Sequence, residues 1–272
     1  MEWLLYFALF CLGAVIGSFL NVVIDRLPRG QSIAYPPSRC GDCGQSLKPL
    51  DLVPVYSYLR LKGRCRYCGS PIPRRILLVE ILGALLFVLV YWQLGLNWLL
   101  LPALLFTCLF VALSFIDIEH GILPDIMVLP AMPLALGTFV LLGDKIQGFS
   151  QYMLHDVSPY LDRLVFSLIG GAGAFVIMLL VALISSRLLK KEAMGGGDIK
   201  LAGLMGLLLG YPLVVFSLYI AILLGALGAG LFLLLRSRGW KDPIPFGPFL
   251  CLGALATLLY GGMMLRAYLG MG

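Results

Sequence analysis

The chain has 272 residues, of which 60% are hydrophobic and 12% charged, and its mean hydropathy is +0.97. A soluble globular domain carries about 25% charged residues, so most of this mass is expected in lipid. The formal charge of +6 is uneven: ten of the twenty Lys+Arg fall within residues 26–75, against Asp42 and Asp51 alone. Short cytoplasmic loops collect such charge, and anionic lipid headgroups attract it. No nucleic-acid reading module accompanies it, so a nucleic-acid partner is not expected.

Residues 3–23 form the first apolar run, long enough to cross about 30 Å of hydrocarbon. The N-terminus has neither the basic start nor the small-residue cleavage site of a signal peptide, so a retained first transmembrane helix is expected over residues 1–25. Residues 26–75 then read as a small cytoplasmic domain, and residues 76–272 as a membrane-embedded body. Within that body the apolar runs are 76–94, 98–116, 126–142 (interrupted by Pro130 and Pro133), 164–184, 201–210, 213–235 and 249–265. A polar stretch, 143–162, separates two of them. The fold class is therefore all-α and polytopic, with about eight transmembrane helices. Basic loops at 26–75, 187–200 and 236–241 belong in the cytoplasm by the positive-inside rule. Residues 201–210 are too few to span unless their helix begins near Asp198, which leaves a tilted short helix or a re-entrant segment. Small-residue runs at 170–174 and 225–230 predict close helix–helix packing.

Cys40-Gly41-Asp42-Cys43 and Cys65-Arg66-Tyr67-Cys68 are two CxxC knuckles separated by 21 residues. Four thiolates in that spacing close a tetrahedral zinc-ribbon-like site with no open position for water, so the expected metal is structural zinc. Two disulfides are the competing arrangement, disfavoured in a reducing compartment. Gly41, Gly44 and Gly69 are expected in turns of unusual φ, and Arg39, Arg64 and Arg66 are expected to help keep the thiols deprotonated. Cys11, Cys108 and Cys251 lie in apolar runs and read as packed thiols.

The acidic residues carry the chemistry. Charge within a membrane is costly and is usually functional, and here Asp117, Glu119 and Asp125 flank one loop while Asp198 follows Gly195-Gly196-Gly197. The only histidines are His120 and His155, and no HExxH occurs, so hydrolysis would fall to carboxylates. Two carboxylates sharing a water and a proton suffice: one acts as base toward the water and the other hydrogen-bonds the developing oxyanion. Gly195 and Gly197 would leave room for a substrate backbone beside Asp198, and Lys200 is placed to reach nearby carboxylates or headgroups.

Taken together, five ordered motifs resemble the type 4 prepilin peptidase family across nearly the whole chain. They are Gly17-Ser18-Phe19-Leu20-Asn21-Val22-Val23-Ile24 followed by Arg26-Leu27-Pro28; the two knuckles; Asp117-Ile118-Glu119-His120 with Leu123-Pro124-Asp125; Gly195-Gly196-Gly197-Asp198-Ile199-Lys200; and Pro245-Phe246-Gly247-Pro248-Phe249. The resemblance implies a bifunctional enzyme of the bacterial inner membrane, its active site facing the cytoplasm. It would cleave the basic leader of type IV prepilins and of type II secretion pseudopilins at a Gly–Phe type junction. It would then methylate the new N-terminal amine from S-adenosylmethionine. Asp117 and Asp198 would be the catalytic pair, with Glu119 and Asp125 tuning it or binding the leader's cations. No Rossmann-type GxGxxG is present, and the resemblance places the methyl-donor site at the cytoplasmic domain and its junction with the membrane, where Gly63 and Glu80 are candidates. A presenilin-like GxGD intramembrane protease is one alternative. An aspartate-coupled transporter is another, and it would place the aspartates near the bilayer midplane.

Overall fold

A computed structural model of the chain describes residues 2–147, 158–189, 194–234 and 245–270. His155, Lys190, Lys191 and the basic loop 236–241 lie outside the described residues. The helices are α1 (Glu2–Arg26), α2 (Tyr56–Arg60), α3 (Arg74–Leu94), α4 (Leu100–His120), α5 (Asp125–Gln147), α6 (Pro159–Leu189), α7 (Gly196–Leu209), α8 (Leu213–Leu234) and α9 (Gly247–Tyr268). No named strand occurs among the described residues. Among the described residues seven helices are long and apolar enough to cross a membrane, and exposed apolar side chains such as Phe7, Val176 and Leu180 suit a lipid surround.

Each apolar run became a helix, but several ends moved. The α4 helix continues through Asp117-Ile118-Glu119-His120, because the backbone ladder does not stop where hydropathy does. Likewise α5 runs unbroken through Pro130 and Pro133; in lipid-embedded helices the freed carbonyls are re-satisfied locally. The short run at 201–210 begins its helix at Gly196 and so takes in Asp198. At 14 residues, α7 rises only about 21 Å, well short of a full hydrocarbon core.

Contacts divide the chain into two compact units, Met1–Ala112 and Leu113–Gly272. In the first, α1 and α3 pack antiparallel at backbone distance. A Cβ at Gly13 would stand 2.5 Å from the Gly83 carbonyl oxygen, and one at Gly17 would stand 2.8 Å from Glu80 Cα. One turn further on, Asn21 Nδ2 donates to the Ile76 carbonyl at 3.1 Å and to its own helix at Gly17 O at 3.2 Å. That register brings Asn21 and Glu80 to the same end of the helix pair.

In the second unit α7 is the most enclosed element: ten of its fourteen residues are buried, Asp198 among them. It crosses α6 so closely that a Cβ at Gly206 would meet the Gly170 carbonyl oxygen at 2.2 Å, and Ser167 Oγ donates to Leu207 O across the same contact. The 170–174 run thus packs as expected. In the 225–230 run, Gly225 and Gly228 instead receive the Phe246 and Phe249 rings.

Candidate active site and metal centre

Asp117 lies in the last turn of α4 and Asp198 in the first turn of α7. Both are buried, at 7% and 9% exposure, and they are close enough for the Asp117 charge to act on Asp198. Cys251, one turn into α9, is buried within electrostatic reach of both carboxyls and bonds to the Ser114 hydroxyl. Among the described residues no cation pairs with either aspartate, and Asp198 Oδ1 is buried without a hydrogen bond. Two enclosed carboxyls within reach of one another cannot both ionise cheaply.

What fixes Asp117 is a residue whose role is not legible in its motif. The backbone N–H of Gly247, the first residue of α9, donates to Asp117 Oδ2 at 3.0 Å. A Cβ there would collide with that oxygen at 2.7 Å, so only glycine brings the amide close enough. Leu123 braces the same corner, standing 3.3 Å from the Gly247 Cβ position and 2.7 Å from that of Gly197. Gly197 is therefore small to admit Leu123. A Cβ at Gly195 would meet only Asp198 Oδ2, at 3.9 Å, and one at Gly196 would meet nothing within 4 Å.

The flanking polar residues are more exposed. Lys200 Nζ holds both oxygens of Asp125, at 2.8 and 2.7 Å, so the Asp125 charge is already compensated by an open ion pair. Glu119 is exposed; two residues beyond Asp117 on a helix, it points away from it. Both aspartates stand in terminal turns, at helix ends.

In the first unit the two knuckles repeat one another. Gly44 N–H returns to Cys40 O and Gly69 N–H to Cys65 O, each at 3.0 Å, and single antiparallel bridges Arg39–Ser46 and Arg64–Pro71 close the two loops. Gly44 and Gly69 take the left-handed conformation, with φ of 69° and 74°, whereas Gly41 does not. The residue after each second cysteine, not the one after the first, makes the turn. The four sulfurs lie within 4.8 Å of one another, and Cys40 and Cys68 Sγ are 3.8 Å apart. A tetrahedral site with Zn–S of about 2.3 Å has an edge of about 3.8 Å, so this donor set fits a metal such as zinc. The Cys40 thiol is drawn down to about 6 by the Cys43 backbone amide and then the Ser70 hydroxyl, and Cys68 is lowered by Ser70. Backbone and serine thus favour the thiolate at Cys40 and Cys68, whereas Cys43 is pushed up to about 11, and Arg66 is engaged by Asp51 at 2.7 Å. All seven cysteines are free.

Glu80 is buried in α3 at 4% exposure and accepts the Val55 N–H on Oε2 at 2.7 Å. Gly63 is apart from it, in a turn with φ of 67°, where a Cβ would press on the Tyr58 ring at 3.0 Å.

Residues 11–94 match the bacterial peptidase A24 N-terminal domain, and residues 103–230 match the type IV leader peptidase family. The prepilin leader peptidase/N-methyltransferase of Aeromonas hydrophila is 35% identical over 99% of this chain and 95% of its own. That of Pseudomonas aeruginosa is 32% identical over 95% and 91%, and that of Bacillus subtilis 28% over 97% of each. No solved structure matches the chain. With seven helices able to cross a membrane and near full-length similarity to these enzymes, the chain is a multi-pass membrane protein that belongs to the type IV leader peptidase family.

Proposed function

We propose that this chain removes the leader of type IV prepilins and pseudopilins with Asp117 and Asp198 as its catalytic pair, and methylates the amine so exposed. It does so in the bacterial inner membrane, with the active site facing the cytoplasm. The observation that carries this reading is that two buried carboxyls, at the ends of α4 and α7, lie within electrostatic reach of one another, with an α9 amide on Asp117. In this reading Asp117, which accepts the Gly247 N–H, acts as the base, and Asp198 carries the shared proton. Asp117 takes a proton from water as the water oxygen attacks the scissile carbonyl carbon. Asp198 gives its proton to the carbonyl oxygen; the C–N bond of the resulting gem-diol then breaks, the new amine takes up the proton held by Asp117, and one hydroxyl returns its proton to Asp198, leaving the leader's carboxylic acid. Because α7 is shorter than the hydrocarbon core, its first turn with Asp198 can lie where the apolar segment of a prepilin meets its wet, basic leader.

Zinc, held by Cys40, Cys43, Cys65 and Cys68, would tie residues 26–75 together as a cytoplasmic ribbon, with residues 1–25 and 76–272 as its membrane-borne flanks. S-adenosylmethionine, when bound, supplies an electrophilic methyl on a sulfonium; Glu80 offers a buried carboxylate toward such a cation, and Gly63 bears on the same region through Tyr58. The deciding experiment incubates purified protein with a synthetic prepilin, with and without the methyl donor, followed by N-terminal mass analysis. Leader loss in both arms and a one-methyl increment only with donor are expected; an intact leader in both refutes the proposal.

A further inference from the structure

Within Met1–Ala112 a cavity of about 530 Å³ lies among the ends of α1 and α3 and the cysteine segment. That is the size of a small-molecule site. Two of its ion pairs are closed on themselves: Arg75 with Asp25 at 2.8 Å and Arg66 with Asp51 at 2.7 Å. Arg26, Arg29 and Arg39 also line it, and deeper on the helix side stand two buried acceptors, Asn21 and Glu80.

Asn21 is 5% exposed. Both hydrogens of its amide are committed to the Gly17 and Ile76 carbonyls. An Asn amide has only two to give, so it cannot flip. Its Oδ1 is thereby locked in place, buried, and without a hydrogen bond. Beside it stands Glu80, held by the Ser18 hydroxyl and by Val55 N–H. Val55 is itself unusual: its φ is 62° and its ψ −53°, and Tyr56 N–H bonds back to Pro54 O at 2.6 Å. This is the rare, strained form of γ-turn, occupied by a β-branched residue, and it aims one amide at Glu80. Strain of this kind persists where surrounding structure enforces it, commonly at binding sites.

We propose that this cavity binds the nucleoside end of the methyl donor, with Asn21 Oδ1 and the Glu80 carboxylate accepting its hydroxyl and amine hydrogens. The assignment rests on the transferase reading above. A wall of fixed acceptors selects a ligand rich in donors, and a ribose diol with an exocyclic amine is such a ligand. Carboxylates hold ribose hydroxyls in the same way in dinucleotide folds. The Glu80 carboxyl suits a sulfonium nucleoside. Tyr58 also lines the cavity, so Gly63 acts on it from behind as a positioning residue.

The test is calorimetric titration of the full-length, zinc-loaded protein in detergent with S-adenosylhomocysteine, which binds without reacting. Asn21→Leu is nearly isosteric and leaves no new unpaired donor, while Glu80→Gln still accepts from Val55. Each is expected to weaken binding about tenfold or more, the loss of one good hydrogen bond in a buried site. Should a variant fold poorly, hydrogen exchange on the wild-type protein decides: the ligand should protect the 18–29 and 53–60 segments. Full affinity in both variants, or protection elsewhere, overturns the cavity assignment and leaves the transferase reading standing. A wild-type protein that cleaves prepilin but neither binds the nucleoside nor methylates overturns the transferase reading, and the assignment with it.

Discussion

Gly247→Ala places a single methyl group against the Asp117 carboxyl. The new Cβ would begin 2.7 Å from Oδ2, 3.1 Å from Cγ and 3.3 Å from Leu123 Cδ2. Ordinary contact starts near 3.4 Å, so the carboxyl must retreat by about 0.7 Å or α9 must lift away. Either movement stretches the 3.0 Å bond from Gly247 N–H, a hydrogen bond to a charged group worth about 1.5–3 kcal/mol. A misplacement approaching 1 Å costs on the order of 100-fold in rate, which agrees with about 2.7 kcal/mol of lost transition-state stabilisation. The expectation is a kcat for leader cleavage about 100-fold lower. KM should change little, because Gly247 touches the reacting group and not the apolar surface that would hold the substrate. The assay is initial rates on a synthetic prepilin read by mass spectrometry, with melting temperature as the check on folding. Gly173→Ala, where a Cβ meets nothing within 4 Å, serves as the control and should cleave at the wild-type rate. A Gly247→Ala protein within twofold of wild type would show that Asp117 is not held by this amide, or is not in the chemistry.

Asp117→Ala and Asp198→Ala should each lower cleavage by about a thousandfold, since each removes one proton-transfer group. S-adenosylhomocysteine should still bind, and full turnover by either variant would retire the pair. Cys40→Ser and Cys65→Ser should lower bound zinc, measured by plasma mass spectrometry, together with the melting temperature; unchanged metal after replacing all four cysteines would refute the metal centre. Gly63→Ala forces a side chain onto a φ of 67° and against the Tyr58 ring, a strain of about 1–3 kcal/mol. It should weaken S-adenosylhomocysteine binding severalfold with prepilin cleavage intact, and unchanged binding would separate Gly63 from the cavity.

The helices were legible because a span leaves a run of about twenty apolar residues. Their ends were not, because hydropathy changes where lipid stops while hydrogen bonding continues. Hence α4 runs on through His120, and α7 starts at Gly196 with residues of poor helix propensity. The cysteine spacing announced a four-sulfur cluster, yet which glycines turn the chain depended on φ values that spacing does not carry. Asp117 and Asp198 are legible in their motifs. The task of Gly247 is not legible in its motif, because what it contributes is a backbone N–H and the absence of a Cβ. Its partner stands 130 residues away in sequence. Asn21 had a readable signal: an amide inside an apolar run is costly there and needs a reason.

Two buried carboxylates, one in each unit, are set by the same device. Gly247 N–H fixes Asp117 and Val55 N–H fixes Glu80, and in both cases the amide sits at the start of a helix, α9 or α2. A backbone donor is rigid where a lysine or arginine is not, and it adds no full positive charge, so it orients a carboxylate while leaving accepting capacity for a substrate or ligand. That is the arrangement a preorganised site requires. It also means that the informative perturbations are those that move an amide. Deleting a carboxylate shows that the group is needed, whereas a methyl group at Gly247 shows that its position is.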